Sequence, residues 1–211
     1  MEFSEIFSHT YIIESLRTIG YVGISLIVFI ESGLFFGFFL PGDSLLFSAG
    51  LLASQGVFHL YVLIPIVVIS AVLGDSVGYW FGGFVGPKIF TKEDSLFFNK
   101  KHVVRAHEFY EKHGPKAIVL ARFIPIVRTF VPIVAGVAKM QYSTFLKYNI
   151  LGGIGWGVGV TVLGYWLGTK IPNIDTYLIP IVGAIIIISF LPIVFEFLKE
   201  KRKQTLQNEK K

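Results

Sequence analysis

Long apolar runs, interrupted twice by prolines beside charged residues, constrain this chain more than any other feature. Residues 60–82, 148–168 and 177–198 are each predominantly apolar, with one charged residue at most. A hydrocarbon core roughly 30 Å thick needs about 20 helical residues to cross it. Each run is long enough. Lipid cannot hydrogen-bond exposed peptide groups, so such runs must be helical. Composition agrees: 53% of residues are hydrophobic and 16% charged, against about 25% charged in soluble domains.

Two further apolar segments are broken. Residues 21–40 carry Glu31 and end at Pro41-Gly42-Asp43, after which 44–53 are apolar but short. Ten helical residues span about 15 Å, half the core. Residues 117–138 are interrupted by Arg122, Pro125, Arg128 and Pro132. A broken segment cannot leave loose backbone facing lipid. Each is expected to fold back as a re-entrant hairpin, buried in protein or lining a wet cavity. Residues 3–18 read as a short interfacial helix. Residues 88–116, with His102, Arg105, Phe109 and Tyr110, read as an amphipathic surface linker.

The chain also repeats. Residues 49–82 align with 135–168 at an offset of 86, with ten identities in 34 positions. Ala49-Gly50 falls on Ala135-Gly136, and Gly78-Tyr79-Trp80 on Gly164-Tyr165-Trp166. Each half is then a broken segment followed by a spanning helix. Paired, interrupted hydrophobic segments point to a transporter-like site at a repeat interface. The predicted fold is an all-α multi-pass membrane protein. It has an inverted repeat of re-entrant hairpin plus transmembrane helix, and an extra C-terminal transmembrane helix. One membrane domain covers 1–198, with halves at about 20–86 and 114–168 and the linker at 88–116; 199–211 form a basic tail.

Charge placement sets the orientation. Residues 88–116 hold seven Lys/Arg against four acids, and 199–211 hold six against two. Residues 1–20 hold one Arg and three Glu. With hairpins, both basic segments fall on one side, as the positive-inside rule requires, and the C-terminus is cytoplasmic. Because the basic stretches flank apolar spans, nucleic acid is not an expected partner. The N-terminus lacks the basic n-region and cleavage site of a signal peptide. Cysteine is absent, which excludes disulfides, Cys-ligated zinc and thiol catalysis. The five histidines show no metal-ligand spacing. Neither a catalytic motif nor a cofactor fingerprint appears, so a transporter without metal or cofactor is expected rather than an enzyme.

Five charges lie in apolar surroundings: Glu31, Asp43, Asp75, Arg122 and Arg128. Placing one in the bilayer costs at least about 2.5–3.5 kcal/mol, so such groups usually mark a pathway. Glu31 and Asp43 on one hairpin would balance Arg122 and Arg128 on the other if the tips meet. A purely structural ion-pair knot is the competing reading. The guanidiniums suit a phosphate, through their planar fork of donors. The acids suit a proton, since burial favours the neutral form and a nearby arginine the charged one. Asp75, in Gly74-Asp75-Ser76-Val77-Gly78, reads as a buried hydrogen-bond anchor. Asn149 and Trp156 are candidates for the cavity wall, though packing alone would also account for them.

These residues resemble the DedA family, bacterial members of the wider VTT, or SNARE-associated, membrane superfamily. The first match is Glu31 with Phe39-Leu40-Pro41-Gly42-Asp43-Ser44-Leu45-Leu46-Phe47 and Ala49-Gly50. The second is Phe109-Tyr110-Glu111-Lys112-His113-Gly114 with Ala121-Arg122-Phe123-Ile124-Pro125-Ile126-Val127-Arg128-Thr129-Phe130 and Ala135-Gly136. Met140, Phe145, Tyr148-Asn149, Gly152 and Trp156 continue it. The resemblance covers nearly the whole chain. It implies a lipid transporter of the bacterial cytoplasmic membrane that returns undecaprenyl phosphate and is linked to the proton motive force. It marks Glu31, Asp43, Arg122 and Arg128 as the functional residues; their chemistry gives the acids the proton role and the arginines the lipid-phosphate role, with Asp75 and Asn149 as supporting candidates. The expected partners are a lipid phosphate, protons and membrane lipids. An uncoupled phospholipid scramblase, a proton-coupled small-cation exporter and a structural membrane organiser are the alternatives, and a homo-oligomer is left open.

Overall fold

The computed structural model describes residues 9–34, 40–85, 100–171 and Pro180. Regular structure in them is helical: α1 (His9–Gly33), α2 (Gly42–Ser54), α3 (Leu60–Val85), α4 (Lys100–His113), a 3-10 turn (Gly114–Lys116), α5 (Ala117–Ala121), α6 (Pro125–Val137) and α7 (Tyr142–Lys170). Three stretches are long and apolar enough to cross a membrane: Glu14–Gly33, Leu60–Phe84 and Tyr142–Lys170. The span expected over 177–198, the tail 199–211 and linker residues 88–99 lie outside the described residues, apart from Pro180.

The first helix differs from expectation. Instead of a short interfacial helix ending at 18 and a separate apolar arm, α1 runs unbroken for the 25 residues His9–Gly33; residues 3–8 of the expected interfacial helix lie outside the described residues. Its polar residues are satisfied without a break. Arg17 pairs with Glu14 at 2.5 Å, and the Thr18 hydroxyl donates to the Glu14 carbonyl at 2.8 Å. Gly20 does not end the helix either, because it faces the Phe58 ring, where an added Cβ would sit 2.8 Å away. Arg17 also ties α1 to the turn after α2. It donates to the carbonyls of Val57 (2.7 Å) and Gly56 (3.1 Å), and lies 3.1 Å from His59 Nε2.

Both breaks fall where the sequence places them. Pro41 precedes α2, and Asp43 lies in its first turn, where an acid meets the positive end of the helix dipole. The second break is Arg122-Phe123-Ile124, and Pro125 opens α6. A proline at the first helical position loses no hydrogen bond and has its φ already set. α2 and α6 are each 13 residues long, about 20 Å and too short to cross.

The short helices pack crosswise. α2 lies against α7, and α6 lies against α3. Bare glycines bring the backbones together. A Cβ on Gly50 would strike Thr161 O and Tyr165 N on α7. One on Gly136 would strike Tyr79 O and Gly83 N on α3. Gly164 faces Phe47, and Gly82 faces Ile133. Two buried clusters result. One gathers Ala117, Ile118, Phe130, Val131, Val134 and Phe145; the other gathers Val28, Leu46, Ala49, Leu63, Val67 and Trp156. Ile69, Leu73, Trp80, Leu163 and Trp166 lie exposed on the outer faces of α3 and α7, as suits helices solvated by lipid.

Candidate functional site

The two broken segments meet. Arg128, in the first turn of α6, pairs with Glu31 near the end of α1, and its other terminal nitrogen donates to Asp43 Oδ1 at 3.0 Å. Glu31 also accepts from the Gly42 amide at 3.2 Å. Gly42 is required there, because a Cβ would land on the Glu31 carboxylate. The three groups differ in access. Side-chain exposure is 1% for Glu31, 10% for Arg128 and 50% for Asp43. Asp43 is the open side of this centre.

Arg122, which follows α5, forms a second centre. Its Nη2 donates to Asp75 and, at 2.5 Å, to Asn149 Oδ1. Asn149 is oriented in turn by donating to the Val72 carbonyl at 3.0 Å. The arginine stem lies on Gly152, where a Cβ would be 2.9 Å from Arg122 Cδ. Both partners are buried, at 5% and 6% exposure. The sequence reading set both arginines against Glu31 and Asp43. In the structure Arg128 takes both acids, and Arg122 takes Asp75 and Asn149.

Trp156 joins the centres. Its indole Nε1 donates to Asp43 Oδ1 at 2.6 Å. Its ring lies 5.4 Å from the Arg128 guanidinium carbon and 5.9 Å from that of Arg122, within reach for cation–π attraction. Asn149, Gly152, Gly153 and Trp156 form one buried stripe of α7. Their spacing of three, four and seven puts them on one helical face. That periodicity was available in the sequence; the indole's hydrogen bond to Asp43 was not.

Three carboxylates thus face two guanidiniums. Glu31 Oε2, Arg122 Nε and Arg128 Nε are buried without a hydrogen-bond partner among the described residues. Buried polar atoms are nearly always paired, so the centre has spare donor and acceptor capacity.

The family comparison matches a VTT domain over residues 40–166. That range covers Asp43, Asp75, both arginines and Trp156; Glu31 precedes it. "Protein DedA" of Escherichia coli (strain K12) is 44% identical over 184 residues, 86% of this chain and 84% of that protein. An uncharacterized membrane protein of Mycobacterium leprae is 49% identical over 166 residues, 79% of this chain and 74% of that protein. "Inner membrane protein YqjA" of Escherichia coli (strain K12) is 32% identical over 175 residues, 83% of this chain and 79% of that protein. No solved structure matches the chain. A VTT domain filling most of the chain, and relatives of this identity over most of their lengths, make the protein a member of the DedA family of membrane proteins.

Proposed function

We propose that this protein translocates a lipid phosphate, undecaprenyl phosphate by family resemblance, across the cytoplasmic membrane in a proton-linked cycle. The observation that carries the proposal is the Arg128 fork, shared between buried Glu31 and half-exposed Asp43. A phosphate arriving from the open side can replace Asp43 on one arm of the fork, while Glu31 holds the other. Guanidinium and phosphate match as planar fork and oxyanion. Arg122 supplies a second positive charge behind the Trp156 ring. The polyprenyl tail remains in lipid.

The charge count supports the proton link. One added proton neutralises three carboxylates facing two guanidiniums. Glu31, with an unpaired Oε2, and solvent-facing Asp43 are the groups that exchange it. The cycle rests on an inverted repeat of re-entrant hairpins, α2 and α6 being the returning arms. The crosswise contacts favour that reading, because they exchange, to within one helical turn, under the 86-residue offset. Gly50 against Thr161 and Tyr165 becomes Gly136 against Tyr79, and Gly164 against Phe47 becomes Gly82 against Ile133, one turn beyond Gly78.

The test is flipping of labelled undecaprenyl phosphate by the full chain in proteoliposomes, with phosphatidylglycerol as competitor. Uptake that rises with an imposed pH gradient supports the proposal. Equal flipping of both lipids without a gradient indicates an uncoupled scramblase. The carboxylate excess also suits a small cation, and cation flux without lipid movement would replace the proposal with a cation exporter.

A further inference from the structure

A second feature lies away from the ion-pair centres. The turn after α6 ends in a Schellman pattern. Lys139 N–H reaches Gly136 O and Met140 N–H reaches Ala135 O, both at 3.0 Å. The residue at the turn is Lys139, with φ +53°. Glycine is usual at this position because it has no Cβ to clash. A lysine in this conformation carries strain, and strained backbone clusters where side chains have a task. The turn is locked to α3, since the Tyr79 hydroxyl donates to the Met140 carbonyl.

Beside the turn is an open groove of about 390 Å³, lined by Tyr79, Trp80, Gly83, Phe84, Gly136 and Lys139. Its floor is the bare backbone of two glycines. Its wall is aromatic: Phe84 is 94% exposed and Trp80 is 55% exposed. The groove sits where the apolar stretch Leu60–Phe84 ends, at the depth where membrane proteins place aromatic belts and headgroups lie. The four ion pairs among the described residues do not include Lys139. None of the groove residues belongs to the ion-pair centres; Phe84 lies about 13 Å along α3 from Asp75.

We infer that this groove is a binding site for an anionic phospholipid of the surrounding bilayer. The phosphate sits on the Lys139 ammonium, and an acyl chain lies along Trp80 and Phe84. A single cation over an apolar trough is complementary to a headgroup with one negative charge and a chain beneath it. The site is separate from the transported lipid, so it stands or falls independently of the transport proposal.

Two substitutions test it by different routes. Lys139→Gly relieves the turn while removing the cation, so its thermal midpoint should be at or above wild type. Gly83→Leu fills the groove; a Cβ there meets only Gly136 O, at 3.8 Å, an ordinary contact. The full chain is released from detergent micelles doped with equal phosphatidylglycerol and phosphatidylcholine into native mass spectrometry, and retained lipid is counted. Wild type and Lys139→Arg are expected to retain phosphatidylglycerol over phosphatidylcholine. Lys139→Gly and Gly83→Leu are each expected to retain at least fivefold less phosphatidylglycerol while remaining folded. Wild-type retention in Lys139→Gly, or equal retention of the two lipids by wild type, overturns the inference.

Discussion

The Trp156 indole reaches across the molecule to donate to Asp43 Oδ1 at 2.6 Å, the oxygen that also accepts from Arg128. One carboxylate oxygen on α2 is therefore held by a guanidinium of α6 and an indole of α7. Trp156→Phe keeps an aromatic ring beside both arginines and removes the N–H together with the rest of the indole's second ring. Hydrogen bonds to charged groups contribute about 1.5–3 kcal/mol, and half-exposure places this one at the low end. Transport is expected to fall about tenfold in a protein that still folds. Wild-type flipping by Trp156→Phe would show that the indole only packs.

The two acids of the Arg128 centre should differ in what they do for stability. Truncating a partner of a buried pair costs roughly 3–5 kcal/mol, whereas exposed pairs contribute about 0–1 kcal/mol. Glu31→Ala is expected to lower the thermal midpoint steeply and Asp43→Ala less, by its exposed pair and the Trp156 hydrogen bond, although both lose transport. Detergent thermal unfolding at matched lipid content decides it, and equal losses would contradict the assigned roles.

The arginines should respond differently to lysine. Arg128 uses two nitrogens, one for Glu31 and one for Asp43, so a point charge cannot reproduce its contacts. Arg122 makes both of its contacts through Nη2. Arg122→Lys is expected to keep most transport, and Arg128→Lys to lose it at equal expression. The same rate in both variants would remove fork geometry from the mechanism.

The crossed packing predicts paired costs. Gly50→Ala and Gly136→Ala each push a methyl into facing backbone. Overpacking of this kind costs about 1–3 kcal/mol, and the two should be similar because their surroundings correspond. Gly23 has no atom within 4 Å of an added Cβ, so Gly23→Ala should be neutral or stabilise α1 by up to about 1 kcal/mol. Thermal unfolding of the three variants separates close packing from the general effect of a methyl group.

Hydropathy and breakers located most of the fold, because lipid permits so few backbone solutions. The breaks before Gly42 and at Arg122–Ile124 carry their own chemistry in proline and charge. Pairing was less legible. Glu31 and Arg128 are 97 positions apart, and Arg122 and Asp75 are 47 apart. Nothing local distinguishes one arginine from the other as Asp75's partner. The continuity of α1 is masked in the sequence by Glu14, Arg17 and Thr18, whose polarity fits an interfacial stretch; their bonds within the helix and to the Gly56–Val57 carbonyls exist only in the fold.

The seating of α2 on α7 also sets a timetable for synthesis. Gly50 must meet the backbone near Tyr165, and the ribosome makes that residue more than a hundred positions later. At about 5–20 residues per second, the first short helix and its acidic tip wait on the order of ten seconds for the surface that covers them. The nascent amino-terminal half is therefore an incomplete object, dependent on the insertion machinery or on lipid water defects to shelter Asp43 until the carboxy-terminal half arrives.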